Sequence, residues 1–193
     1  MRSIMHRWKR RRHFERAGKL ISIAQNCSTI LDVGCGYGDL LLEFCARGRD
    51  TVGIDIDGRR VSIAKINFDK GSLRGGFIRC DAHFLPFKNK GFDFSFCNQV
   101  IEHVMMPEVV VDEMHRVANQ TAVMYANDKT PYYYLKSLVL RRPLERIPKI
   151  TRKFNETHYL NFAIPMNKII ADAIARLPII RDLLATIIVK VNR

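Results

Sequence analysis

The sequence predicts an α/β protein: a doubly wound, mostly parallel sheet with helices on both faces. Two observations carry that expectation. Thr29 to Asp57 reads as strand, glycine-dense turn, helix and second strand, the opening βαβ unit of an open sheet. Further β-rich runs then alternate with helical periodicity as far as Ala126.

The first strand is Ile30-Leu31-Asp32-Val33, apolar and carrying an acid near its end. The turn Gly34-Cys35-Gly36-Tyr37-Gly38 follows, then the apolar helical patch Leu40, Leu41, Phe44 and Cys45. The second strand, Thr51 to Ile54, also ends in an acid, Asp55, with Ile56 next. Ligands of open α/β sheets bind outside the carboxyl ends of the strands. Glycines there let a ligand approach the backbone closely. The spacing Gly34-x-Gly36-x-Gly38 departs from the G-x-G-x-x-G of dinucleotide sites. Asp55 is placed to accept two hydrogen bonds from a ribose diol. Asp32 lies where a pyrophosphate would approach, and a carboxylate there suits a cationic ligand better. The unit therefore points to a nucleoside-containing ligand.

Phe77 to Ala82 reads as a short strand ending in Asp81, and His83 to Phe87 as an apolar loop. A carboxylate accepts from an exocyclic amine, and apolar groups beside it can sandwich a base. Gly91 to Asn98 reads as a fourth strand that opens into Gln99-Val100-Ile101-Glu102-His103-Val104. Arg59 to Phe68 and Pro107 to Ala118 read as helices, the second with proline at its start, and Thr121 to Ala126 as a fifth strand.

These pieces resemble a known family. LDVGCGYGDL, VGIDID, RCDAHFLPF and FDFSFCNQVIEHV are similar, in order and spacing, to the four consecutive motifs of class I S-adenosylmethionine-dependent methyltransferases of the type 11 domain. The resemblance covers Ile30 to Asn127 and implies a Rossmann-like fold with S-adenosylmethionine as cofactor. It implies that Asp32 faces the methionine part, with Gly34, Cys35, Gly36, Tyr37 and Gly38 lining it. It implies that Asp55, beside Ile56, holds the ribose hydroxyls, and that Asp81 and Ala82 hold the adenine. Asn98, Gln99 and His103 would border the methyl-transfer site. Cys35 reads as a small loop filler and not a nucleophile. Tyr37 has two readings, a ring beside the cationic ligand or a cover on the loop.

The formal net charge of +13 sits on the flanks: +7 in residues 1–20, −2 in 21–130 and +8 in 131–193. The N-terminal run Arg7-Trp8-Lys9-Arg10-Arg11-Arg12 has two readings, a surface for nucleic acid or anionic lipid and a solvated arm. Phe14, Ala17, Ile21 and Ala24 recur at helical spacing and predict a helix packed on the sheet. The five cysteines form no C-x-x-C pair, which fits reduced thiols in a cytoplasmic protein, and no zinc set stands out.

With 47% hydrophobic residues, the chain is long enough for one domain. It divides into a basic N-terminal helix or arm (1–28), a cofactor-binding core (29–130), a substrate-side insertion (131–165) and a C-terminal helix and last strand (166–193). Within the insertion, Tyr132-Tyr133-Tyr134 reads mainly as packing. Glu156 to Phe162 resembles the family's lead into a late helix, here Met166 to Ala175, and Ala185 to Val191 is the last strand. The family's sixth strand is uncertain, because Leu177 to Leu184 holds Pro178 and the pair Arg181-Asp182 where it is expected.

The implied activity is in-line methyl transfer, in which alignment supplies much of the acceleration. His103 is the candidate base, its other reading being a loop-ordering residue. The acceptor is open among small molecules, lipid- or saccharide-linked intermediates and RNA. Two other functions are weighed: a non-catalytic cofactor-binding module acting through a partner, and a nicotinamide-dependent dehydrogenase, which the glycine spacing disfavours.

Overall fold

The computed structural model describes residues 2–73, 75–126, 154–162 and 185–192. In chain order these form α1 (Arg2–Ile23), β1 (Thr29–Val33), α2 (Asp39–Cys45), β2 (Asp50–Asp55), α3 (Gly58–Lys70), β3 (Gly76–Arg79) and β4 (Phe92–Asn98). A 3₁₀ turn (Ile101–His103), α4 (Pro107–Val117), β5 (Ala118–Ala126), β6 (Glu156–Phe162) and β7 (Ala185–Asn192) follow. The strands make one seven-stranded sheet in the order β3-β2-β1-β4-β5-β7-β6. The first five pair in parallel, and β7 runs antiparallel to β5 and β6. The order reverses between β1 and β4, so a crevice opens at their carboxyl ends.

The inner strands are buried on both faces, as parallel strands under helices must be. Ile30, Phe94 and Phe96 pack on one face with Leu20, Leu41, Phe44 and Phe68. Leu31, Val33 and Ile54 pack on the other with Val110, Val111, Met114 and Val117. Phe44 stacks on Phe96 with ring centroids 5.6 Å apart. Each helix buries one stripe: Val61, Ala64 and Phe68 in α3, and Val110, Val111, Met114 and Val117 in α4. The Asp57 side chain caps α3 by accepting from Arg59 N–H at 2.9 Å.

Three details differ from the sequence reading. The buried stripe of α1 is Ala17, Leu20 and Ile23, continued by Ala24 just past its end, and Phe14 is 52% exposed. The apolar spacing also matched the helix's flank, and only docking on the sheet selects the face. Strand β3 ends at Arg79, so Asp81 lies beyond it, in a turn that its own carboxylate closes with His83. Most informative is the sixth strand. It is Glu156–Phe162, within the stretch read as an insertion and a helix lead, and β7 supplies its partners. The three tyrosines, the late helix from Met166 to Ala175 and the segment Leu177 to Leu184 lie outside the described residues.

The glycine turn is fixed by one close approach. Gly34 has φ +81°, and a Cβ there would lie 2.2 Å from Val100 Cγ2, the residue just past the end of β4. Gly34→Ala is therefore expected to destabilise the fold by about 1–3 kcal/mol through the left-handed backbone alone, and further through the clash. Urea denaturation checks this; unchanged stability would mean that the β4 end moves freely away from the loop.

Candidate functional site

The loops after β1, β2, β3 and β4 meet at the carboxyl edge of the sheet. Asp32 sits within β1, paired in register with Gly53 of β2 and Phe96 of β4. It is 2% exposed, and Asp55 is 5% exposed. Strand alternation puts Asp32 on the Ile30 face, and Asp55 on the face shared by Thr51 and Gly53. Burial holds the Asp32 carboxyl well above its ordinary value, and the charge of Asp55 raises it further.

Asp55 links the second strand to the glycine loop. Its Oδ2 accepts from Gly36 N–H at 2.9 Å and its Oδ1 from Asp57 N–H at 2.9 Å. Each oxygen keeps a further lone pair for a ligand. Gly34 N–H and Cys35 N–H both donate to Ile54 O at 2.8 Å. Gly36 has φ +56°, and a Cβ there would meet nothing within 4 Å. Among the described residues, the loop thus leaves open space directly above its backbone. Cys35 fills the gap that Gly53 leaves, since a Cβ on Gly53 would lie 2.8 Å from its sulfur. Burial, then Asp32 and Asp55, push the Cys35 thiol upward, which keeps it protonated and inert. Tyr37 is 49% exposed on the rim.

Ile56 projects from the end of β2, 66% exposed. Beside it lies an open cavity of about 440 Å³ lined by Ile56, Asp57, Gly58, Arg59, Ser62 and Arg79. Arg60 lies 3.5 Å from Asp57 and 4.0 Å from Asp55. The sequence reading missed Arg60 and Arg79. The spacing of Asp57 and Arg60, three apart at a helix start, was the available signal for the first. The position of Arg79 follows only from its register opposite Asp55.

The loop after β3 is tied down twice. Asp81 Oδ1 accepts from His83 N–H at 3.0 Å and pairs with His83 Nδ1 at 2.6 Å. These two bonds hold the Asp81 carboxyl below its ordinary value. Met106 N–H donates to His83 Nε2, so the ring carries its proton on Nδ1 and donates it to Asp81. Further along, Glu113 accepts from Leu85 N–H at 2.8 Å, while Arg116 donates to the carbonyls of Leu85 and Phe87. Ala82, between Asp81 and His83, is half-buried on this anchored loop.

At the end of β4 the backbone is strained. Gln99 has φ +58°, and its N–H is held by Met124 O at 2.8 Å. Asn98 Oδ1 and Gln99 Nε2 are buried polar atoms without a hydrogen-bond partner among the described residues. Such groups are costly without a ligand or water to satisfy them. His103 follows on the 3₁₀ turn and is exposed. The structure therefore gathers Asp32, the glycine loop, Asp55, Asn98 and Gln99 at one crevice, with Ile56, Asp81 and Ala82 on the β3 side of it.

Residues 31–126 match the family model of the methyltransferase domain. A ubiquinone biosynthesis O-methyltransferase of Pseudomonas paraeruginosa is 26% identical over 132 residues, 66% of this chain and 57% of that protein. An uncharacterized methyltransferase of Mycolicibacterium vanbaalenii is 34% identical over 90 residues, 46% of this chain and 34% of that protein. The solved structure of a SAM dependent methyltransferase from Archaeoglobus fulgidus shares the fold with a TM-score of 0.67 at 16% identity, covering 91% of this chain and 90% of that one. A second, from Aquifex aeolicus, gives 0.55 at 21% identity, covering 68% of this chain and 80% of that one. The chain spans about half the length of the curated relatives it matches. It belongs to the S-adenosylmethionine-dependent methyltransferases of this domain family. The cofactor of that class is S-adenosylmethionine.

The buried acid generates a prediction. A carboxyl whose value is raised by folding costs nothing below its unfolded value, near 3.8, and costs progressively more as pH rises above it. Asp32→Asn removes that cost. The variant is expected to melt close to the parent at pH 3.5 and above it at pH 7, measured without ligand. Greater destabilisation at pH 7 than at pH 3.5 would mean that internal donors already satisfy the carboxylate.

Proposed function

We propose that this chain transfers the methyl group of S-adenosylmethionine to a hydroxyl of a small-molecule acceptor. The observation that carries the reading is the buried pair Asp32 and Asp55 beside the glycine loop. Two carboxylates out of water favour a ligand that brings positive charge and hydroxyl donors, and they disfavour a pyrophosphate. That separates S-adenosylmethionine from a nicotinamide dinucleotide. When bound, the cofactor supplies an electrophilic methyl carbon on a sulfonium, open to in-line attack.

The residues present fit that group. Asp32 would balance its charge, with Gly34, Cys35, Gly36, Tyr37 and Gly38 bordering the methionine part; the open space above Gly36 supports this. Asp55 would accept from the ribose hydroxyls with its remaining lone pairs, next to the apolar Ile56. Asp81 and Ala82 would meet the adenine amine and ring edge. The unpartnered amide atoms of Asn98 and Gln99 support a polar ligand at the end of β4. His103, on the turn behind them, is proposed to take the acceptor's proton. A hydroxyl acceptor is supported by the relatives named O-methyltransferases. The stretch 131–165 is proposed to border that acceptor, because loops over a sheet's carboxyl end select substrates.

Calorimetric titration with S-adenosylhomocysteine, and with NAD as comparison, tests the cofactor. Micromolar binding to the first and none to the second is expected; the reverse would overturn the reading. Asp55→Ala is expected to weaken S-adenosylhomocysteine binding more than about tenfold, by stranding two hydroxyls. An unchanged dissociation constant would remove Asp55 from the site. With labelled cofactor and a panel of phenols, His103→Ala is expected to lower kcat about 100-fold while cofactor affinity stays constant. An unaltered kcat would leave His103 a loop residue.

A further inference from the structure

We propose that His83 is a positioning residue for the cofactor's adenine: its ring holds the Asp81 carboxylate in the orientation that meets the 6-amino group. The proposal rests on the reading above that Asp81 accepts from that amine. The Asp81 side chain is 46% exposed, whereas that of His83 is only 12% exposed. The last side-chain torsion of an aspartate is broad, so a carboxylate this exposed has a wide choice of orientations. A ligand that needs one of them loses affinity to the ordering. Two bonds remove that freedom before the ligand arrives. His83 N–H donates to Asp81 Oδ1 at 3.0 Å, closing a turn within the loop. His83 Nδ1 reaches the same oxygen at 2.6 Å. The backbone bond alone would leave the carboxylate hinged on one contact, and the ring bond adds a second direction. Both bonds fall on Oδ1, so Oδ2 keeps its lone pairs for an incoming donor.

The ring is itself fixed. Met106 N–H, from the residue before α4, donates to Nε2 at 3.4 Å. Nε2 is thus an acceptor, and the proton on Nδ1 points at Asp81. The same bonds hold the Asp81 carboxyl below its ordinary value, so it stays ionised and offers only acceptors, as an amine requires. With both ring nitrogens engaged, His83 has neither a lone pair nor a proton to spare for a methyl acceptor, which separates its role from that of His103. Nor is the ring needed merely to fasten the loop. Glu113 and Arg116 already tie Leu85 and Phe87 to α4, and neither touches Asp81 in doing so. What the ring adds to those ties is control of one carboxylate.

The experiment measures binding of S-adenosylhomocysteine to the full chain by calorimetry, beside its 6-deamino analogue, in which hydrogen replaces the amine. The ratio of the two dissociation constants isolates recognition of the amine. The parent is expected to prefer the amine by at least about tenfold, and Asp81→Ala to bring the ratio near one. His83→Ala is expected to lower the ratio to about threefold or less, with affinity for the deamino analogue within about twofold of the parent. Two conservative variants separate the ring's two bonds. His83→Asn places an N–H where Nδ1 stands and is expected to restore the ratio. His83→Gln places its amide where Nε2 stands, keeps an acceptor for Met106, and is expected not to restore it. A ratio lost in Asp81→Ala but kept in His83→Ala would overturn the proposal alone. So would equal weakening of both ligands in His83→Ala, the mark of a loop fastener, or failure of His83→Asn to restore the preference. A ratio that survives Asp81→Ala would overturn the reading of Asp81 and the proposal together, so the two failures are told apart.

Discussion

The bond from Gly36 N–H to the buried carboxylate of Asp55 sets the geometry of everything at the sheet's carboxyl edge. The glycine turn has few side chains to hold it in place. It is held instead by backbone bonds to Ile54, by the carboxylate of Asp55 and by the wedge of Val100 against Gly34. Those three contacts come from β2 and from the end of β4, the two strands that flank β1. The loop is thus positioned by its neighbours, which leaves the space above Gly36 open among the described residues.

Stability is given up at this edge and recovered around it. Asp32 is kept where its charge is disfavoured, Gln99 where its backbone is strained, and the amides of Asn98 and Gln99 where polar atoms lack partners. The surrounding structure over-determines the site. The loop after β3 is clamped to α4 by Glu113 and Arg116, and His83 ties it to the residue before α4 by a proton whose position both ring nitrogens specify. Those clamps fall on surface-facing loops, outside the crevice, so they stiffen the rim without occupying it.

Most of the fold's first two thirds was legible in the sequence because its contacts are local. There β1 runs into Gly34, β2 ends in Asp55 and β4 in Asn98, and α3 and α4 show their buried stripes in their apolar spacing. The five parallel strands, the crevice and its acids follow from that pattern. What was not legible depends on distant partners. Glu156–Phe162 becomes a strand because β7, which comes later in the chain, offers it an edge. The docked face of α1 could not be separated from its flank by spacing alone, so Phe14 was read as buried and Leu20 was passed over. Asp81 looked like a strand end because the run before it is β-rich, yet the side-chain bond to His83 turns the chain two residues earlier. Arg79 was invisible because its place beside the second strand is set by register.

The position of β7 has a consequence for biosynthesis. It leaves the ribosome after the other described strands, yet it lies between β5 and β6 in the finished sheet. Until it arrives, β5 presents an open edge lined by Val123, Met124 and Tyr125, all buried in the mature fold. An apolar edge of that kind invites pairing with another nascent chain. The parallel half of the sheet can assemble as it emerges. The interval before Ala185–Asn192 appears is when the chain is most exposed to aggregation, and shortening that interval would matter more to its yield than strengthening any contact in the core.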